Sequence, residues 1–257
     1  MTNVEMVGQF HLSALIYWPL RLSVRTPGFH PGKRSSILLG ATIKFSMYTY
    51  RFDIINKLIK ENDFKSYLEI GVCNPVHCFD QVQCEHKEGV DPGVEFEENP
   101  VDHQMTSDEF FRFMDDRRPN DKFDIIFIDG LHKSYQVKQD IHNSLRYLNP
   151  NGYILLHDCN PPSAHMAREN YMVDGEYQPW NGTVWKAIYE LRTSRRDLKV
   201  CVVDTDWGIG IVQNNFFMDT PLVQRHNPFY EFNIMDANRE EDLGLIQVEE
   251  LDNWLYE

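Results

Sequence analysis

The 257-residue sequence predicts a doubly wound α/β domain, built on a mostly parallel sheet that closes in an antiparallel hairpin. Three observations carry that prediction. From Tyr67 onward, short apolar runs alternate with helical stretches, the pattern of successive βα units. Three of the runs end in a carboxylate, at Asp91, Asp129 and Asp158. The last two runs, Lys199 to Val203 and Gly208 to Gln213, are parted only by Asp204-Thr205-Asp206-Trp207, which reads as a hairpin turn.

The chain is expected to divide into a basic amino-terminal arm (1–50), the α/β domain (51–215) and a loop-rich carboxyl-terminal extension packed on it (216–257). Arg21, Arg25, Lys33, Arg34, Lys44 and Arg51 give this amino-terminal part its basic character, with turn signals at Pro27-Gly28 and Pro31-Gly32. A helix follows from Tyr50 to Glu61, where Phe52, Ile55, Leu58 and Ile59 recur at helical spacing and suit one face of the sheet. Strands are expected at Tyr67 to Val72, Gly89 to Asp91, Phe123 to Asp129 and Tyr153 to Asp158. A helix from Ser134 to Leu148 lies between the last two and is ended by Asn149-Pro150-Asn151-Gly152. Another spans Val184 to Arg195, and one short helix is expected in the tail.

Composition narrows the function. A formal charge of -14 opposes a nucleic-acid partner, which would need clustered Lys and Arg to neutralise phosphates. Five cysteines are an odd number and too few for a disulfide scaffold, so reduced thiols and a cytoplasmic location are expected. The apolar stretch from Phe10 to Val24 is broken by Pro19 and Arg21, short of the roughly 20 residues a membrane span needs. It also lacks the basic lead of a signal peptide.

The chemistry concentrates at strand ends. Tyr67-Leu68-Glu69-Ile70-Gly71-Val72 is an apolar strand opening into a loop at a glycine, and Asp91 ends a second strand about twenty residues later, a distance that suits an acid binding ribose hydroxyls. No G-x-G-x-x-G is present to seat a pyrophosphate. In an open sheet Asp129 and Asp158 would project into one crevice, where two carboxylates repel unless a proton or cation lies between them. His132 has the near-neutral titration that suits a general base. His157 precedes Asp158 and should face the opposite side of a regular strand.

Together, Glu69-x-Gly71, Asp91 and the closing hairpin resemble the class I S-adenosylmethionine-dependent methyltransferases, with a Rossmann-like seven-stranded sheet. The segments Phe127 to His132, Leu156 to Pro161 and Trp180 to Lys186 are similar to a narrower subgroup associated with sugar O-methylation and polysaccharide biosynthesis. That resemblance implies cofactor binding by Glu69, Gly71, Asp91, Ser107 and Asp129, and a divalent cation such as magnesium held by Asp129 and Asp158. It implies catalysis by His132 with Asp129, on a small-molecule or glycan acceptor. In the subgroup an acidic pair follows the fifth strand; here His157 stands for one member. Asn74-Pro75-Val76-His77 replaces further glycines of the cofactor loop.

Other readings compete. His157, His165 and Trp180 are candidate substrate contacts, and each also suits a structural role; Trp185, within a helix, suits the core. Ser107 or Asp108 suits a helix cap. Cys73, His77, Cys78, Cys84 and His86 lack the spacing of paired zinc knuckles and follow the first strand, where a cofactor loop and a helix are expected. A metal-dependent hydrolase and a non-catalytic nucleoside-binding protein are the alternative functions, and a homo-oligomer is compatible with the sequence.

Overall fold

In a computed structural model, the structure describes residues 49–94, 101–214 and 219–256. The amino-terminal arm, apart from its last two residues, lies outside them. Helix α1 (Arg51–Asn62) leads into β1 (Ser66–Ile70), β2 (His86–Val90), α2 (Ser107–Arg117), β3 (Phe123–Ile128), α3 (Ser134–Tyr147) and β4 (Leu148–Leu156). A small hairpin, β5 (Met172–Val173) and β6 (Glu176–Tyr177), precedes α4 (Val184–Ser194), β7 (Leu198–Val203) and β8 (Ile209–Asn214). The chain then adds α5 (Phe232–Asp236), α6 (Arg239–Asp242), β9 (Leu245–Ile246) and α7 (Leu251–Tyr256).

Seven strands form one sheet in the order β2-β1-β3-β4-β8-β7-β9. β2, β1, β3 and β4 pair in parallel, β8 runs antiparallel to both β4 and β7, and β9 is parallel to β7. Chain order reverses at β1, from which the path goes out to β2 on one side and on to β3 on the other. A cleft therefore opens at the carboxyl ends of these strands.

Strand alternation assigns the two faces. Leu68, Ile126, Ile128, Ile154 and Leu156 face a core shared with Phe110, Ile141 and Ile188 from α2, α3 and α4. Tyr67, Ile125, Phe127, Tyr153 and Leu155 face the other core, built on Ile54, Ile55 and Leu58 of α1 and on Leu251 of α7. Thus α1 covers the sheet as its spacing predicts. Trp185 is a core residue, only 1% exposed.

Three expectations are corrected. No α-helix follows β1: Asn74 accepts a hydrogen bond from the Val76 amide and Pro75 opens a 3-10 turn, so the link to β2 is two such turns, Pro75–His77 and Phe79–Gln81. The cap of α2 is Thr106, not Ser107 or Asp108, because Thr106 and Glu109 form a reciprocal capping box. The tail is more structured than its irregular sequence suggests, since β9 extends the sheet. Among the described residues no helix is long and apolar enough to cross a membrane.

Candidate functional site

Gly71 leaves β1 with a left-handed φ of 88°. A Cβ there would lie 2.4 Å from both the Asp129 carbonyl oxygen and the Gly130 Cα, so the glycine is required where the β1 loop presses on the β3 loop. This close approach brings the two strand ends together. Beside it, both oxygens of Asp91 accept backbone amides, from Cys73 at 2.9 Å and from Gly93 at 2.7 Å. The carboxylate is fixed at the cleft, with lone pairs left for ligand hydroxyls.

Glu69 occupies the α1 face of the same strand. It is 1% exposed and accepts the Tyr67 hydroxyl at 2.5 Å. Burial pushes its pKa up to about 8, so it is largely protonated at neutral pH. Ser107 begins α2, and its hydroxyl accepts a hydrogen bond from Gln136 at 3.2 Å.

Beyond the ends of β3 and β4 the structure assembles an ionic cluster. His132 Nε2 lies 3.3 Å from Asp129, and its Nδ1 lies 3.3 Å from Asp158. His157 Nδ1 lies 3.1 Å from Asp129 and 3.0 Å from Asp158. The expectation that His157 faces away fails because β4 ends at Leu156 and Asp158 is left-handed, with a φ of 61°. That turn breaks the alternation and brings both side chains to the same place.

Two further residues complete the cluster. Arg51, the first residue of α1, donates to Asp129 at 2.6 Å and through Nε to Asp206 at 2.8 Å, while its backbone amide also reaches Asp206. Asp206 sits in the β7–β8 turn, where it, Trp207 and Gly208 all have positive φ. Sequence reading placed Arg51 beside the basic arm and Asp206 in a turn; no local signal shows that residues 155 positions apart meet.

The electrostatics follow from this geometry. Burial disfavours the Asp129 carboxylate, but His157, Arg51 and His132 outweigh it and hold the group well below the usual range. Asp206 is lowered in the same way, with His157 and Arg51 overcoming desolvation. Burial also works against the His157 and His132 cations; Asp129 and Asp158 overcome it and raise both.

Asp129, His132 and Asp158 each offer one ligand atom within 4.8 Å of the others, the one group of this kind among the described residues. The set fits a divalent cation: two hard carboxylate oxygens converge, and the buried His132 Nδ1, 3.3 Å from Asp158, makes no hydrogen bond among the described residues. Trp180 stacks on His132 with ring centroids 5.3 Å apart, placing one predicted substrate residue beside the cluster. His165 is exposed and paired with Gln178, on the same excursion between β4 and α4.

Residues 57–159, containing Gly71, Asp91, Asp129, His132 and Asp158, match the sequence profile of a methyltransferase domain. Solved structures similar to this protein include an O-methyltransferase from Bacillus cereus in complex with S-adenosylhomocysteine, at 14% identity and a TM-score of 0.42, covering 63% of this chain and 79% of that one. The O-methyltransferase TomG from Streptomyces achromogenes is 12% identical, with a TM-score of 0.42 over 63% of this chain and 78% of that one. MycE, a methyltransferase of mycinamycin biosynthesis bound to magnesium, S-adenosylhomocysteine and mycinamycin VI, is 14% identical, with a TM-score of 0.43 over 72% of this chain and 54% of that one. Among curated proteins none matches. Arg51, Asn181 and Asp206 lie outside the stretch matched by the methyltransferase domain.

Proposed function

We propose that this protein transfers the methyl group of S-adenosylmethionine to a hydroxyl oxygen of a sugar or glycoside, with His132 as base and a divalent cation held at Asp129 and Asp158. One observation carries the reading. Within a methyltransferase domain, a ribose-competent acid and a carboxylate–imidazole cluster lie at adjoining strand ends of one sheet, joined by the contact between Gly71 and Asp129. The nucleoside hydroxyls fall to Asp91, and the Gly71–Asn74 loop forms the floor beside them. In this reading Glu69, hydrogen-bonded to Tyr67, and Ser107, at the start of α2, complete the cofactor side.

The acceptor hydroxyl is deprotonated by His132, whose orientation is set by Asp129, by Asp158 and by the Trp180 ring. Arg51 and His157 keep Asp129 ionised throughout. A bound divalent cation would lower the pKa of the hydroxyl as a Lewis acid. Holding oxygen, methyl carbon and sulfur in line supplies most of the acceleration. His165 and Trp180 flank the approach of the acceptor, and the exposed Tyr171 and Tyr177 continue the aromatic surface from Trp180. Flat apolar rings of this kind suit the face of a pyranose.

The test is transfer of a labelled methyl group to a panel of glycosides, with and without exhaustive chelation. Transfer is expected, sensitive to the chelator. In addition, His132→Ala should lose about a hundredfold or more in kcat while leaving cofactor affinity unchanged. A pure folded protein that binds no S-adenosylmethionine by calorimetry would end this reading.

A further inference from the structure

The cation site, as read so far, has one donor too many roles to fill. His132 cannot present its free nitrogen lone pair to a metal and accept the acceptor's proton with it, and Asp129 and Asp158 alone are a sparse protein ligand set. The side chain that resolves this lies in the turn before α4. Asn181 is fully buried, at 0% exposed, and its Nδ2 donates to Asp158 Oδ1 at 2.6 Å. Its carbonyl oxygen Oδ1 is buried too and has no hydrogen-bond partner. An orphaned amide oxygen of this kind destabilises the fold unless a donor or a cation meets it. Among the described residues no donor meets it, and the same amide touches a carboxylate of the cluster.

The turn that carries Asn181 is built against His132. Gly182 has a φ of 67°, and a Cβ there would lie 2.2 Å from the His132 carbonyl oxygen. The Thr183 amide donates to that carbonyl at 2.8 Å, and Thr183 Oγ1 accepts the Ser134 amide at 2.8 Å, capping α3, whose own Lys133 supplies no side-chain cap. Asn181-Gly182-Thr183 therefore grips Asp158 with its first residue and His132 with the other two. Asn181-Gly182-Thr183 has the form of an N-glycosylation acceptor, and the burial of Asn181 and Thr183 excludes that use.

We propose that Asn181 is the third oxygen donor of the cation site, completing with Asp129 and Asp158 an all-oxygen set for a hard divalent cation and leaving His132 free as the base. Oxygen ligands are what magnesium and manganese select, and a neutral carbonyl adds a ligand without adding charge to a cluster that already holds Asp129, Asp158 and Asp206. The amide also explains how a site with His157 in place of a second strand-end acid stays complete. The inference rests on the metal reading above, and its test separates the two.

Full-length protein without methyl donor is titrated with Mn²⁺ and free ion is followed by electron paramagnetic resonance, with thermal melts of the metal-free variants as a folding control. Wild type is expected to bind one ion. Asn181→Ala is expected to weaken binding by about tenfold or more, and Asn181→Asp, which restores an oxygen at the same position, to bind within a few-fold of wild type. If wild type binds and Asn181→Ala binds as tightly, Asn181 is no ligand and the metal reading stands without it. If both variants weaken alike, Asn181 serves only as a donor to Asp158, which also overturns the proposal. If wild type binds no Mn²⁺, the metal reading and the ligand fall together.

Discussion

Replacing Arg51 with Met keeps most of its volume and removes the charge that ties α1 to both Asp129 and Asp206. The Arg51 side chain is 19% exposed and Asp206 6%, so the pair is shielded from solvent screening. Without the guanidinium, Asp206 keeps the residue-51 backbone amide at 2.9 Å and His157 Nε2 at 3.7 Å, and Asp129 depends on the two imidazoles. Breaking one partner out of a buried pair typically costs about 3–5 kcal/mol; residual exposure of Arg51 brings the expectation to about 2–4 kcal/mol. For a domain of this size that lowers Tm by roughly 5–15 °C. Chemical denaturation of Arg51→Met, Asp206→Asn and the double variant should give a coupling energy of about 1.5 kcal/mol or more. The acid limb should move as well. Both carboxyls have folded pKa values below the unfolded value of about 3.9, so their stabilisation is present above that pH and is lost as pH falls through the folded values. With Arg51 gone these values rise and acid unfolding begins at higher pH. A single-variant loss under about 0.5 kcal/mol, with additive energies in the cycle, would show that the ion pairs do not organise the site.

Asp91→Ala should weaken S-adenosylmethionine binding by roughly tenfold to a hundredfold, the worth of hydrogen bonds to a charged acceptor, read by calorimetry; an unchanged Kd would remove Asp91 from the cofactor site. Asp140, in α3 and 1% exposed, is pushed by burial to about 6, so its ionisation costs folded stability as pH rises from about 4 through 6. Asp140→Asn should therefore flatten that stretch of the stability profile and stabilise the protein by about 1–3 kcal/mol at pH 8, and a profile parallel to wild type would contradict the shift. Gly182→Ala must relieve a 2.2 Å contact and a left-handed φ, so melting should show a loss of about 2–4 kcal/mol, with kcat falling more than cofactor affinity as His132 is displaced. Equal kcat in that variant would mean that the turn does not position the imidazole.

Regular elements were legible because their periodicities are local. The helix expected over Tyr50 to Glu61 is found at Arg51–Asn62, and the hairpin expected after Lys199 is β7 and β8. Strand-end carboxylates were legible for the same reason, since a βα alternation says where a strand stops. What escaped depends on single backbone angles or on distant contacts. One left-handed residue, Asp158, turned His157 from an outward side chain into a bridge between two acids. Asn74-Pro75 replaced a helix with 3-10 turns. Asn181 was visible only as one position of the Trp180–Lys186 resemblance, because nothing in Asn-Gly-Thr says which carboxylate it will touch. Arg51 and Asp206 acquire their meaning from tertiary placement alone.

That placement has a consequence for how the protein comes into being. During synthesis the stretch through residue 159 emerges complete with its strand-end acids, yet the turn carrying Asn181 and the one carrying Asp206 are still to be made. Until they arrive, Arg51 lacks Asp206 and Asp158 lacks Asn181, and closing a loop of this length is slow compared with forming its local pieces. A nascent chain should pass through a stage with a formed half-sheet and unquenched charge at its rim, and a fragment stopped at residue 159 should remain in that stage.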